Sequence, residues 1–292
     1  MRVVSSDHRN FSFDRAIPSV LKVDPGSTVR FETDDDTWTR LAAGIPRDEI
    51  GDAFNPVTGP VSVHGARPGD ALRIEVLTIE LGSAWAVWMP EFGPLGHRTS
   101  QVRVMQTPIE GDRVRISEEL TVPLEPMIGC IGVAPASGTG STVRPVYRFG
   151  GNLDLRELSP GAILWLPVQV DGGLLSLGDL HAAMGEGEPT FVSLEASGSA
   201  TVRIDLESGS NLSSPRLRVG ATTICVGMGE TPLEAKQDAI DQAFELLIEG
   251  HGLEPFIAYA YASARVGLRL GGPAGTRVDG LQAVLAIVPD PR

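Results

Sequence analysis

Apolar residues recur along this chain in short runs broken by turns, not in long helical stripes. Three of the runs open on a Pro-Gly pair: VDPGSTVRFE from Val23, ARPGDALRIEV from Ala66 and LSPGAILWLPVQV from Leu158. Proline presets φ and glycine accepts the positive φ of a type II turn, so each pair predicts a tight turn feeding a strand. After the first pair Val29 and Phe31 alternate with polar neighbours, and after the second Leu72, Ile74 and Val76 do the same, as half-buried strands require. Ala162 to Val170 is almost continuously apolar. That predicts a strand covered on both faces, with Trp165 in the core and the segment that follows hanging from it. Between these runs, NPVTGP at Asn55 reads as a rigid loop. Gly82 to Arg103, irregular and aromatic, reads either as a loop shaping a pocket or as a surface loop pinned by its own rings.

Helical periodicity is confined to the last third. Thr231-Pro232-Leu233-Glu234 offers an N-cap, a proline at the first helical position and a glutamate at the third, which is a capping box. Leu233, Ile240, Phe244 and Leu247 recur on one face, and Gly250 ends the run. Glu254 to Ala264 predicts a second short helix entered at Pro255, and Val266–Leu270 and Leu281–Val288 read as closing strands. The fold class is therefore α+β and β-rich, with a C-terminal helix-bearing α/β segment. Residues 1–120 form an N-terminal β-rich region, 121–215 a central region and 216–292 the C-terminal α/β region, expected to join in one compact unit.

Composition narrows the function. With 42% hydrophobic and 21% charged residues over 292 positions, the chain is globular. A formal net charge of −13 with no basic run argues against a nucleic-acid partner. The first twenty residues lack the apolar core of a signal peptide, and no segment approaches the apolar length of a membrane helix. A cytoplasmic protein with no membrane association is expected. Cys130 and Cys225 sit in apolar runs without a CxxC partner and read as free core residues. No G-x-S-x-G elbow occurs, and Lys22 and Lys236 are the only lysines, which disfavours serine- or lysine-based nucleophiles.

The densest chemistry lies in Leu175–Glu195, LSLGDLHAAMGEGEPTFVSLE. On an extended chain Asp179 and His181 point to one side and can close on one ion. Gly178, Gly185 and Gly187 let the backbone turn, bringing Glu186 and Glu188 back towards the same space. Carboxylate plus imidazole suits Zn²⁺, and a set dominated by oxygen shifts the choice towards Ca²⁺ or Mn²⁺. The alternative reading is a solvated turn in which Asp179 caps a short LHAAM helix.

NPVTGP at Asn55, GCIGVAPA at Gly129, GGNLDLREL at Gly150 and GDLHAAMGEGE at Gly178 occur in this order. Together they resemble the acetamidase/formamidase family, over a span from Ile17 to the TPLEAKQDAI helix. The resemblance implies a β-rich α+β fold, commonly a homodimer, that hydrolyses short linear or cyclic aliphatic amides to carboxylate and ammonia with a divalent metal. It implies Asp154, Asp179, His181 and Glu195 as metal ligands and Asn152 as a catalytic residue, with Glu186 or Glu188 moving the proton. The only partner implied is the small-molecule amide. Four positions depart from the family pattern: Met184 where glutamine is usual, Glu186 where aspartate is, and His64 and Gly267 where acidic residues are. Met184 and Gly267 motivate a second reading, a relative that keeps the metal and binds an amide-like ligand without turning it over.

Overall fold

In a computed structural model of the chain, which describes residues 1–50, 54–144, 146–272 and 281–291, each Pro-Gly pair turns the backbone into a strand. Gly26, Gly69 and Gly161 take φ of +81°, +95° and +93°. The elements that position the site are, in chain order, β1 (Ser27–Thr33), α1 (Asp36–Ala42), α2 (Arg47–Ile50), β2 (Val57–Val63) and β3 (Ala71–Trp88). They continue with β4 (Met127–Gly132), β5 (Gly150–Asn152), β6 (Ile163–Pro167), β7 (Leu175–Ala183) and β8 (Leu194–Glu207). The C-terminal part adds β9 (Arg216–Val219), β10 (Thr222–Gly229), α3 (Pro232–Glu245), α4 (Pro255–Arg265), β11 (Gly267–Gly271) and β12 (Gln282–Pro289).

One sheet runs β5-β4-β7-β8-β3-β6-β9-β10-β12-β11, with β1 on β8 and β2 on β7. The architecture is α+β and β-rich, and strands from 1–120, 121–215 and 216–292 hydrogen-bond within this sheet. Its apolar faces meet in one core that holds Phe31, Leu72, Ile74, Ile131, Leu164 and Val202, all fully buried. No helix among the described residues is long and apolar enough to cross a membrane.

Several expectations are corrected. The strand from Ile163 alternates in exposure, and Trp165 is only half-buried, its Nε1 donating to Glu207 at 2.8 Å and Arg73 lying over its ring. The six-residue β4 is instead buried along its whole length, and β7 pairs with β4, β8 and β2, not with β6. A run of apolar residues reports total hydrophobicity, whereas burial on both faces depends on what covers the sheet. NPVTGP is not a loop throughout, since Val57 to Pro60 begin β2. Gly82 to Trp88 is the far end of the 18-residue β3, where Trp85 is buried and donates to Asp35 at 3.0 Å. Leu180 to Ala183 of the LHAAM stretch are strand, not helix.

Helix α3 starts with the predicted capping box, Thr231 accepting from the Glu234 amide and Glu234 from the Thr231 amide, but it presents a different face. Ala235, Ala239 and Ala243 are buried against β10 and β12, while Leu233 is 67% and Ile240 38% exposed. Gly227 on β10 explains the choice: a Cβ there would stand 2.2 Å from the Ala239 nitrogen and 2.4 Å from the Ala235 oxygen. Helix and sheet approach so closely that small side chains, not large apolar ones, fit between them.

Candidate active site

Three adjacent strands and two turns build the site. On β7, Asp179 and His181 face the same space, the left-handed backbone at Asp179 bringing its carboxylate within 3.3 Å of the imidazole. His181 lies opposite Glu195 of β8 in register. From the other flank, the turn after β5 brings in Asp154, whose amide donates to the Gly129 carbonyl of β4 at 3.1 Å. Between β7 and β8 the chain turns at Gly187, φ +71°, and returns Glu188. His181 Nε2 lies 3.3 Å from Asp179 Oδ1, 3.7 Å from Glu195 Oε1 and 4.0 Å from Asp154 Oδ1. Asp154, His181 and Glu188 form one close triad of donor atoms, and Asp179, His181 and Glu195 a second that shares the imidazole.

The backbone is bent to hold these groups. Among the described residues, eight other than glycine have positive φ, and five of them line this site: Asn55 (58°), Asp154 (42°), Asp179 (58°), Glu188 (42°) and Phe191 (67°). Asn and Asp tolerate this region through local hydrogen bonding, but Glu and Phe are strained there and persist only where their surroundings hold them. Gly129 is required for a steric reason. A Cβ on it would lie 2.6 Å from Asp179 Oδ2 and 2.7 Å from Asp154 Oδ1.

The electrostatics are lopsided. Four carboxylates and one imidazole are buried together, and both oxygens of Asp154 and both ring nitrogens of His181 make no hydrogen bond. As bare side chains they cannot all ionise. Burial, then Glu188 and Asp179, push the Asp154 carboxyl well up. Burial likewise raises Glu195 well above its usual range and Glu188 to about 7. For Asp179 burial also opposes charge, but His181 and the Asn55 hydrogen bond outweigh it and hold the carboxyl below the usual range. Burial opposes protonation of His181, yet Glu195 and Asp179 raise its pKa well above the ordinary value. An unpaired buried charge is costly. A divalent cation would satisfy the orphaned oxygens and nitrogen and displace the retained protons, so the donor set fits a metal. Tetrahedral ligands at about 2.1 Å from an ion stand roughly 3.4 Å apart, near the separations from His181.

The remaining candidates divide. Asn152 is buried, and its Oδ1 accepts from Asn55 Nδ2 at 3.1 Å. Glu186 is not brought in: it is exposed and pairs with Arg269 Nε of β11 at 3.2 Å, because Gly187 reverses the chain one residue after it. Met184 is buried, while His64 and Gly267 are exposed. None of the three is among the described residues lining the pocket. Burial, then Asp179 and Asp154 beside it, push the Cys130 thiol pKa well up, so it remains a core thiol. Two contributors escaped the sequence reading. Asn55 Nδ2 donates to Asp179 Oδ2 at 2.8 Å, to Asn152 Oδ1 at 3.1 Å and to the Thr142 carbonyl at 3.1 Å, two protons shared among three acceptors. Ser193 donates its hydroxyl to Glu188 at 2.9 Å and its amide to Glu195 at 2.9 Å. Asn55 opens the NPVTGP motif, so its place in a recurring pattern was the available signal; Ser193 had none.

Above the acids lies a cavity of about 30 Å³ lined by Trp38, Phe54, Phe92, Val143 and Phe191, with Asn152, Asp179, Glu188 and Glu195 at its floor. It has room for a very small group.

The model of the acetamidase/formamidase family matches residues 5–138 and 124–224. The chain belongs to this family. Among solved family structures, an acetamidase from Bacillus halodurans is 31% identical, with 98% of this chain and 97% of that chain covered and a TM-score of 0.85. A predicted acetamidase/formamidase from Thermoanaerobacter tengcongensis is 29% identical, covering 99% and 95%, with a TM-score of 0.89. A formamidase from Methylophilus methylotrophus is 23% identical over 251 residues, which are 65% of this chain. The match spans 62% of that formamidase's own length.

Proposed function

We propose that this acetamidase/formamidase family member hydrolyses short aliphatic amides, linear or cyclic, to carboxylate and ammonia. The observation that carries the reading is a pair of metal-suited triads sharing His181, of which Asp179, Glu188 and Glu195 reach the floor of a small apolar pocket, in a chain whose relatives include an acetamidase and a formamidase. Asp154, Asp179, His181 and Glu195 would hold a divalent ion, Zn²⁺ by preference for the imidazole–carboxylate set, with Ca²⁺ or Mn²⁺ the alternatives that oxygen donors also suit. When bound, such an ion supplies Lewis acidity and lowers the pKa of water.

The chain's own groups do the rest. Glu188 is buried at the cavity floor, and Ser193 hydrogen-bonds one of its oxygens, so its other oxygen can take a proton from water and pass it to the departing amine. Asn152 has its oxygen occupied by Asn55, which leaves its NH₂ to donate to the amide carbonyl. Trp38, Phe54, Phe92 and Phe191 exclude bulk water and limit the acyl group by size. Glu186 has no part in this scheme. The homodimer expected of the family would form through α4 and the edge strand β11, where Phe256, Tyr259 and Leu270 are exposed.

The test is ammonia release from formamide, acetamide and larger primary amides, before and after chelation. Release that stops on stripping and returns with one added metal supports the reading. Release by His181→Ala with full metal content would refute the ligand assignment, and no release on any amide would favour a binding role.

A further inference from the structure

Helix α1 carries Trp38, one wall of the inner cavity, with its ring against Phe54 at 6.2 Å between centroids. At seven residues α1 has little stability of its own, so its attachments set where Trp38 stands. Towards its C-terminal end Leu41 is buried in one apolar cluster with Phe54 and Met89. The N-terminal end is held by Asp35. An aspartate at this position ordinarily turns its carboxylate onto the helix amides, but the Asp35 side chain makes no such bond. It reaches to the sheet instead, where its Oδ2 accepts from Trp85 Nε1 of β3 at 3.0 Å and from Ser197 Oγ of β8 at 3.3 Å.

Both donors stand next to the metal-suited cluster. Trp85 lies opposite Glu195 in register, and Glu195 opposite His181. Directly opposed residues of neighbouring strands share a face, so the buried indole stands beside Glu195. Ser197 follows Glu195 by two residues, where the register between β3 and β8 shifts, and such bulges re-aim side chains. One carboxylate oxygen thus ties the helix that walls the cavity to the strand that carries one of its acids. Trp38 follows Asp35 by three residues, about one helical turn. Asp35 itself is not among the described residues that line the cavity.

Resting on the amide-hydrolase reading above, we infer that Asp35 is a positioning residue that sets acyl-chain selectivity. By fixing α1 to β3 and β8 it holds Trp38 against the cavity and keeps the acyl group short. Without that tie α1 gives way at its N-terminal end, Trp38 withdraws, and longer aliphatic amides gain relative to short ones.

The experiment measures kcat/KM for acetamide and for butanamide and takes their ratio, which cancels losses common to both substrates, including loss of folded or metal-loaded protein. Asp35→Ala should move the ratio towards butanamide by about tenfold, the order of discrimination that a methylene or two carries in an apolar pocket. Asp35→Asn keeps a side-chain oxygen for both donors and should leave the ratio within about twofold. Trp38→Ala should move the ratio in the same direction, and adding Asp35→Ala to it should move it little further, because both changes act through one wall. Trp85→Phe removes the shorter of the two bonds, should shift the ratio the same way, and carries the test if Asp35→Ala does not fold. A ratio unmoved by Asp35→Ala, or by Trp85→Phe in its place, overturns the inference and leaves the hydrolase reading intact. So does an Asp35→Asn shift as large as that of Asp35→Ala, or an Asp35→Ala shift that adds in full to that of Trp38→Ala. Failure of the wild-type protein to release ammonia from any amide, formamide included, removes the hydrolase reading and this inference with it.

Discussion

The Asn55 side-chain amide donates to the Asp179 carboxylate at 2.8 Å, joining two residues 124 positions apart. This contact links the NPVTGP segment to the metal-suited cluster and adds to the larger influence of His181, which against burial holds Asp179, alone of the four acids, below its usual pKa range. Asn55 has φ +58°, so Asn55→Gly keeps the backbone and removes only the amide. The expected outcome is a drop in metal affinity of about 10–100-fold, as for other partners of metal ligands, read by titration with a competing chelator. Unchanged affinity would show that the contact is not coupled to ligation.

Gly129 makes no hydrogen bond with its side, yet it sets the space that Asp154 and Asp179 occupy. Gly129→Ala should displace both carboxylates, since its methyl would lie within 2.7 Å of each. Overpacking of this kind costs about 1–3 kcal/mol. Metal content by elemental analysis should fall more sharply than the melting temperature, and the reverse order would refute the placement.

Glu186 and Glu188 are two residues apart and have opposite surroundings. Glu188→Gln should lower kcat by about 10²–10⁴-fold, the range for a general acid–base group. Glu186→Gln breaks only a half-exposed pair with Arg269 and should leave kcat within about twofold. Equal effects of the two changes would count against the proton path.

Without an ion, the cluster binds extra protons in the folded state. Asp154, Glu188, Glu195 and His181 are all raised, Glu188 from 4.5 to about 7. Between its unfolded and folded pKa each group holds more proton folded than unfolded, so stability falls as pH rises through that window. Asp179 acts in the opposite sense, and its contribution is lost as pH falls below the ordinary carboxylate range. The melting temperature of chelated protein should therefore decline by on the order of 5 °C from about pH 5 to about pH 8. Protein with its ion should not decline, because the ion replaces those protons. A rise for the chelated sample over the same range would contradict the burial of these acids.

The contact between Gly227 and α3 tests the fold away from the site. Gly227→Ala should destabilise by about 1–3 kcal/mol, measured by denaturant unfolding, with metal content preserved. Ile240→Ala, on the opposite and exposed side of the helix, should change stability far less.

Local chemistry was legible in the sequence wherever a short stretch decides its own geometry. The Pro-Gly turns, the capping box at Thr231, the strands through Val29 and Leu72 and the shared side of Asp179 and His181 all follow from backbone preference and side-chain period. The family motifs added Asn152, Asp154 and Glu195, which no local pattern marks out. What only the tertiary structure decided are the relationships that depend on which strands become neighbours. Glu188 turns in and Glu186 out because one glycine reverses the chain between them. Trp165 reaches the surface because β6 is covered differently from β4. Helix α3 buries alanines because Gly227 lets it approach β10. The pairing of β7 with β4, β8 and β2 brings four acids and a histidine within reach of one another, at a separation along the chain that carries no periodic signal.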